Sequence, residues 1–363
     1  MNKVLIVRLG SLGDIIHAVP AAMAIRRAYP RAEVDWLVDA RHADLLDLVP
    51  VVQRRMVLDT SRLGSIARAL RELRAGHYDV ALDLQGLIKS AVLARVANAR
   101  RVIGFPSFLL REQAASVFYT ETAGEPAAHV VYKNLSMLKA IGIRVPDLEF
   151  ALDDRNPQIA FEVRRRLQVG DRDPFAIINP GAAWLNKRWP AVYFAEVAQA
   201  LAHRYNMRSV VLWGPGEQQL AENVVAAAHG TAAVSPRTTI ADLVSLTRAA
   251  TIMISGDTGP LHVAGAVGTP LVGIFGPTDP ARNGPWSEGD LTVSRFEACA
   301  CRYQRRCRIQ GWCLLDISPR EVMELVDRRL SACGPREAPG GSPALPDRRA
   351  RASGGGDPTS TKE

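Results

Sequence analysis

Short β-branched apolar runs alternate along this chain with longer Ala-, Leu- and Arg-rich stretches of helical period, and the alternation occurs twice. In the first half the runs are 4–9 (VLIVRL), 33–38 (EVDWLV) and 78–84 (YDVALDL), separated by helical patterns at 14–29 and 61–75 and followed by one at 87–97. In the second half 175–180 (FAIINP), 209–214 (SVVLWG), 251–256 (TIMISG) and 271–276 (LVGIFG) alternate with a helix from Ala191, one at 217–228 and a short one after 256. The runs are apolar throughout rather than half-polar, which predicts parallel strands covered by helices on both faces. Two such units, joined near 150–172, make a two-domain α/β protein, with a first domain over 1–165 and a second over 166–333. Ligands of such sheets bind at the carboxyl ends of the strands.

A chain of 363 residues, 47% of them apolar, has enough material for two cores and is not disordered throughout. No apolar run approaches the ~20 residues of a membrane span. The apolar start at 4–7 is too short for a signal peptide and reads as a first strand, so a cytoplasmic location is expected. Residues 334–363 hold 6 Gly and 5 Pro without periodicity and are expected to be a disordered tail. The net charge of +8 is unevenly spread, since residues 51–111 hold 11 basic side chains against 4 acidic. Such a block attracts anions or is simply a solvated arginine-rich face.

Several strand-to-helix turns carry polar residues suited to chemistry. Ser11, Gly13 and Asp14 follow the first strand in a Gly-Ser-Leu-Gly-Asp turn that is neither a Walker loop nor a dinucleotide fingerprint. Asp14 would either cap the following helix or take a proton from a substrate hydroxyl. His17, one turn on, reads as a packed helix residue. Gln85 and Lys89 follow the strand at 78–84. In the second half, small residues including Ala182 and Ala183 allow close backbone approach, and Lys187 adds a point charge suited to phosphate. Glu217 would take the hydroxyls of a ribose or begin a helix. The segment Ser255-Gly256-Asp257-Thr258-Gly259-Pro260-Leu261-His262 forms a phosphate cradle. There Thr258 and Gly259 would offer N–H groups to a pyrophosphate, Asp257 would bind sugar hydroxyls, and His262 would support them.

RLGSLGDIIHAVPA, DLQGLIKSA, NKRWP, SGDTGPLHVAGAVGTP and FGPTDP together resemble the lipopolysaccharide heptosyltransferases of glycosyltransferase family nine, over about residues 1–330. The stretch 78–135, with Arg111 and His129, is similar to the type that adds the first heptose. The resemblance implies a GT-B fold of two Rossmann-like domains. It also implies metal-independent inverting transfer of heptose from ADP-heptose to Kdo-lipid A. Acceptor would bind in the first domain and donor in the second, with no cofactor. Carried over by position, Asp14 is the base and Lys187 contacts phosphate and heptose. Ala182, Ala183, Glu217, Asp257, Thr258, Gly259 and His262 hold the donor. The two alanines stand where the first-heptose enzymes have threonines, so backbone N–H groups rather than hydroxyls would meet the phosphate there. Ser11, Gly13, Arg62, Gln85, Lys89, Arg101 and Arg111 would meet the acceptor, and the basic block an anionic inner membrane on its cytoplasmic face. A later core heptose, another acceptor or a non-catalytic sugar-nucleotide-binding protein are the competing readings. No nucleic-acid motif accompanies the charge, so no nucleic-acid partner is expected.

Cys299, Cys301, Cys307 and Cys313 cluster in a spacing that is no recognised zinc pattern. They are read either as a structural metal site or as thiols stabilised by nearby arginines.

Overall fold

The computed structural model describes residues 1–144, 147–308 and 311–332; the tail expected at 334–363 and Cys333 lie outside them. The first sheet contains β1 (Lys3–Val7), β2 (Glu33–Asp39), β3 (Arg54–Leu58), β4 (Val80–Asp83), β5 (Arg101–Gly104) and β6 (Glu121–Thr122). The second contains β7 (Phe175–Asn179), β8 (Arg208–Val211), β9 (Ala232–Val234), β10 (Ile252–Gly256), β11 (Leu271–Phe275) and β12 (Leu291–Ser294). Their orders are β3-β2-β1-β4-β5-β6 and β12-β11-β10-β7-β8-β9, and every pairing is parallel. The two orders are the same doubly wound arrangement, with β7 and β10 in the places of β1 and β4. The expected apolar strands are buried on both faces: Val4 to Val7 and Phe175 to Ile178 are all 0% exposed.

In each sheet the strand order reverses between two central strands, and a crevice opens where their carboxyl ends diverge. Gly10 and Ser11 follow β1 at that point, and Leu84 and Gln85 follow β4. In the second sheet the loop 180–187 follows β7, and Asp257 follows β10. The topology therefore delivers the polar turns of both halves to the two switch points.

Two local details sharpen. The helical pattern over 14–29 is interrupted near Pro20, as that proline implies, into Leu12–Ile16 and Val19–Ala28, with Pro20 in the first turn of the second. A first-turn proline has no helical hydrogen bond to lose there. The joint at 150–172 contains a helix, Gln158–Leu167, whose Ile159, Val163 and Leu167 are buried at helical spacing. Residues 165 and 166 lie inside that helix, which packs against Ile240–Ala249 on the second sheet's side.

Candidate active site

At the first switch point the indole N–H of Trp36 donates to the carbonyl of Arg8 (3.1 Å), fixing the backbone just beyond β1. The Arg8 side chain turns inward, donates to the carbonyl of Leu84, and pairs through Nη2 with Asp14 Oδ1 at 2.6 Å. The other Asp14 oxygen, Oδ2, accepts from the backbone N–H (2.9 Å) and hydroxyl (3.0 Å) of Ser11. Asp14 thus does cap its helix, yet its side chain remains 35% exposed. Burial works to raise its pKa, but the Arg8 charge and the Ser11 bonds outweigh it, and the carboxyl titrates below its ordinary value. Asp14 is therefore ionised at neutral pH. The neighbouring turn is fixed by buried Asp83, which accepts from the N–H groups of Gln85 (2.9 Å) and Gly86 (3.1 Å). Gln85 in turn accepts from the N–H of Leu9 (2.8 Å), tying the two central strands together.

At the second switch point Lys187 and Asp257 form a largely buried ion pair, Nζ to Oδ2 at 2.6 Å. Thr278 Oγ1 also donates to Oδ2 (2.6 Å), and His262 Nε2 lies 3.4 Å from Oδ1. Burial alone would raise the Asp257 pKa; the His262 bond and the Lys187 charge instead hold it far below the ordinary carboxylate range. A carboxylate has about four acceptor sites, so these three partners leave about one for a ligand hydroxyl. Asn179, at the end of β7, donates from Nδ2 to the hydroxyls of Ser255 (2.9 Å) and Thr258 (2.8 Å), setting the start of helix Gly259–Ala266. The first N–H groups of a helix lack intrahelical partners and carry positive potential. Glu217 precedes helix Gln218–Ala227 and pairs with Arg188 at 3.1 Å. Arg188 also donates to the carbonyl of Ala182 (2.9 Å).

The two switch points meet. Helix Leu12–Ile16 packs against Gly259–Ala266, and the approach needs two glycines. A Cβ at Gly13 would lie 2.2 Å from His262 Cδ2, and one at Gly259 would lie 2.6 Å from Leu12 Cδ2. Beneath them His17 Nε2 bonds His262 Nδ1 at 3.1 Å, so Lys187, Asp257, His262 and His17 form one chain of contacts. Burial and the His262 and His129 rings hold the His17 pKa well below its ordinary value. His129 crosses in the same region: Nδ1 accepts from Val131 N and Nε2 donates to the carbonyl of Gly284 (2.9 Å).

Residues 66–313 match the profile of glycosyltransferase family 9 (heptosyltransferase). The chain belongs to this family. A lipopolysaccharide heptosyltransferase 1 of Pseudomonas aeruginosa is 30% identical over 328 residues, covering 85% of this chain and 88% of the relative. Among solved structures, a family 9 glycosyltransferase of Veillonella parvula superposes with a TM-score of 0.78 at 21% identity, covering 92% and 98% of the two chains. E. coli heptosyltransferase WaaC, in a structure with ADP, superposes with a TM-score of 0.70 at 24% identity, covering 91% and 99%. The fold is accordingly GT-B, and this family 9 protein is a glycosyltransferase.

Its cleft gathers some of the expected acceptor residues and leaves others outside. Ser11, Gln85 and Lys89 line a cavity of about 750 Å³ together with Arg41 and His42. Ala183, Trp184, Leu185, Arg305 and Arg306 line it from the second lobe. Gly13 is packed against His262 rather than lining the space. Arg62, Arg101 and Arg111 do not line it. Arg62 pairs with Asp59 (3.4 Å). Arg101 is the first residue of β5, at the strand's amino end, and pairs with Glu121 at 2.6 Å. Much of the 51–111 charge is offset in this way, since Arg54, Arg55 and Arg100 also have carboxylate partners. A second cavity of about 430 Å³ adjoins Arg8 and is lined by Gln85, Lys133, Asn134 and Arg282.

The sulfurs of Cys301 and Cys307 lie 3.2 Å apart. Two thiolates on one tetrahedral zinc, each at about 2.3 Å, would be about 3.8 Å apart. Among the described residues no group of three or more His, Cys, Asp or Glu side chains is placed to hold a metal ion. The sequence did not single out Arg8, Asn179, Arg188 or Thr278. Each lies in or beside a quoted motif, but its partner is set by the fold.

Proposed function

We propose that this enzyme transfers L-glycero-D-manno-heptose from ADP-heptose to a Kdo hydroxyl of Kdo-lipid A, in assembly of the lipopolysaccharide inner core. The first lobe takes the acceptor and the second the donor. The observation that carries the reading is the packing of the Asp14 helix on the helix that opens with Thr258 and Gly259. It sets a one-third-exposed carboxylate beside a turn suited to diphosphate. The name of the Pseudomonas aeruginosa relative, lipopolysaccharide heptosyltransferase 1, supports a heptose transfer in lipopolysaccharide assembly, and the ADP in the WaaC structure supports the nucleotide.

In this reading Asp14 accepts the proton of the acceptor hydroxyl as its oxygen attacks C1 of the heptose from the face opposite ADP. The C1–O bond to the diphosphate breaks, its electron pair leaves with ADP, and the anomeric configuration inverts. Lys187 has three N–H donors, and Asp257 takes the strongest contact, at 2.6 Å. A remaining donor, with the N–H groups of Thr258 and Gly259, meets charge growing on the leaving group. Glu217 takes the ribose and Asp257 a heptose hydroxyl. The chemistry so written calls for no metal or other cofactor. Peripheral contact with the cytoplasmic face of an anionic membrane is supported by Leu63 (85% exposed), Phe108 (70%) and Val117 (76%) on the first lobe. Arg68, Arg71 and Arg111 are exposed on the same lobe. No helix among the described residues is long and apolar enough to cross a membrane.

The deciding experiment is Asp14→Ala assayed with ADP-heptose and Kdo-lipid A. The variant loses about 10²–10⁴-fold in kcat while calorimetric ADP binding persists. Turnover near wild type removes Asp14 as the base.

A further inference from the structure

The transfer mechanism uses nothing from the cysteine-rich segment that follows β12, yet the fold holds part of that segment against the catalytic loop. The N–H of Tyr303 donates to the carbonyl of Pro277 (2.7 Å). Asn186, the residue before Lys187, donates from Nδ2 to the carbonyl of Gln304 (2.9 Å), and the Trp312 indole donates to the carbonyl of Arg188 (3.1 Å). Cys301 and Cys307 bring their sulfurs together on either side of residues 302–306. Cys313 packs on Gly276, where a Cβ would lie 3.1 Å from its sulfur. This hairpin loop without strands is held at its base by the Cys301–Cys307 contact and near its tip by the bonds at Tyr303 and Gln304, which bring the 302–306 backbone to the edge of the cleft.

Two of its side chains, Arg305 and Arg306, face the 750 Å³ cleft, across from Lys89 of the first lobe. Other cations nearby are already matched: Arg41 pairs with Asp39 (2.9 Å) and Arg302 with Glu297 (3.0 Å). Among the described residues Arg305, Arg306 and Lys89 have no carboxylate within ion-pair distance, although they surround one cavity. The Trp184 ring lies under Lys187 Nζ (4.6 Å) and near the Arg305 guanidinium (5.9 Å), so it joins this cavity to the catalytic lysine. Of the residues given to the donor, only Ala183 lines the cleft. The unmatched charge therefore belongs to the acceptor side. Paired guanidinium groups suit the planar, two-oxygen geometry of a carboxylate or phosphate.

We propose that Arg305 and Arg306, presented by the hairpin loop between Cys301 and Cys307 of the second lobe, form with Lys89 an anion subsite for a carboxylate or phosphate of the acceptor. The proposal rests on reading this cleft as the acceptor side. The hairpin makes acceptor recognition a joint task of both lobes.

The test compares wild type with the Arg305→Ala/Arg306→Ala and Arg305→Lys/Arg306→Lys double variants, each saturated with ADP for binding and supplied with ADP-heptose for turnover. The alanine pair raises the Kd and KM for Kdo-lipid A by about ten-fold or more and leaves the donor KM within about two-fold. The lysine pair recovers part of the loss. Dephosphorylated Kdo-lipid A assigns the contact. If it erases the difference between wild type and the alanine pair, the partner is a phosphate; if the difference remains, it is the Kdo carboxylate. An unchanged acceptor Kd, or a raised donor KM in its place, overturns the subsite. If wild type transfers no heptose to Kdo-lipid A, the proposed function fails, and the subsite is then judged by inorganic pyrophosphate binding to the ADP-saturated protein. Binding that the alanine pair weakens sustains the subsite. Equal binding in both, or none in wild type, overturns it.

Discussion

Asp14 sits between opposing influences, and the balance predicts how activity responds to acid. Burial raises its pKa, while Arg8 and Ser11 lower it further than burial lifts it. Its depressed pKa contributes stability above the ordinary value of 3.8, and that contribution is lost as pH falls through the folded value. Arg8→Met removes the lowering charge and keeps the burial, so the acid limb of kcat/KM moves to higher pH. A pH profile superimposable on wild type would show that Arg8 does not set this carboxylate. On the proposed mechanism Lys187→Ala acts twice, weakening leaving-group stabilisation and stranding the buried Asp257 charge. It lowers kcat and costs about 3–5 kcal/mol of stability, whereas Lys187→Arg keeps the charge and most of the stability. Unchanged kinetics in Lys187→Ala would remove the electrostatic role. Asp14, Lys187 and Asp257 stood out in sequence because each follows an apolar strand in a polar turn. The turn alone left Asp14 as either cap or base, and the family resemblance supplied the roles proposed for Asp14 and Lys187. Thr278 did not stand out, since its bond to Asp257 joins residues 21 apart, and Asn179 reaches Thr258 across 79.

Elements with strong patterns were readable and short ones were not. β1, β4, β7 and β10 are buried at nearly every position, so their apolar runs stood out. β3 begins with two arginines, β6 is two residues long and β12 is only partly buried, and none carries enough apolar signal to be distinguished from a loop. The helix Gln158–Leu167 was hidden by the polar residues around it. Contact between helices Leu12–Ile16 and Gly259–Ala266 could not be read from either alone, because a glycine in a strand-to-helix turn is equally well explained by local backbone needs. The structure gives Gly13 a different reason, the His262 ring 2.2 Å from where its Cβ would be. Gly13→Ala therefore pushes the two helices apart or displaces the imidazole. It lowers stability by about 1–3 kcal/mol, the usual cost of overpacking, and shows as a fall in Tm. A Tm equal to wild type would mean that the ring moves freely.

Across the whole molecule the two sheets are coupled through buried imidazoles. His17 stays neutral in the folded protein to well below its ordinary pKa of 6.5, while an unfolded chain takes up the proton near that value. The unfolded state then binds more protons, so this contribution is complete above about 6.5 and declines as pH falls from there toward the folded value. His129, also lowered by burial, acts in the same direction. Tm is expected to fall between about pH 7.5 and pH 5, with a shallower slope in His17→Gln. Equal slopes would assign the acid sensitivity elsewhere. The hairpin carrying Arg305 and Arg306 has a consequence for engineering. A chimera that swaps whole lobes treats each as a separable cassette, one for the sugar and one for the recipient. On the proposed reading of the cleft, the exchangeable unit for recipient choice is discontinuous, because Arg305 and Arg306 wall the same space as Lys89. A transplant of the first lobe alone would arrive with half of its own recognition surface left behind.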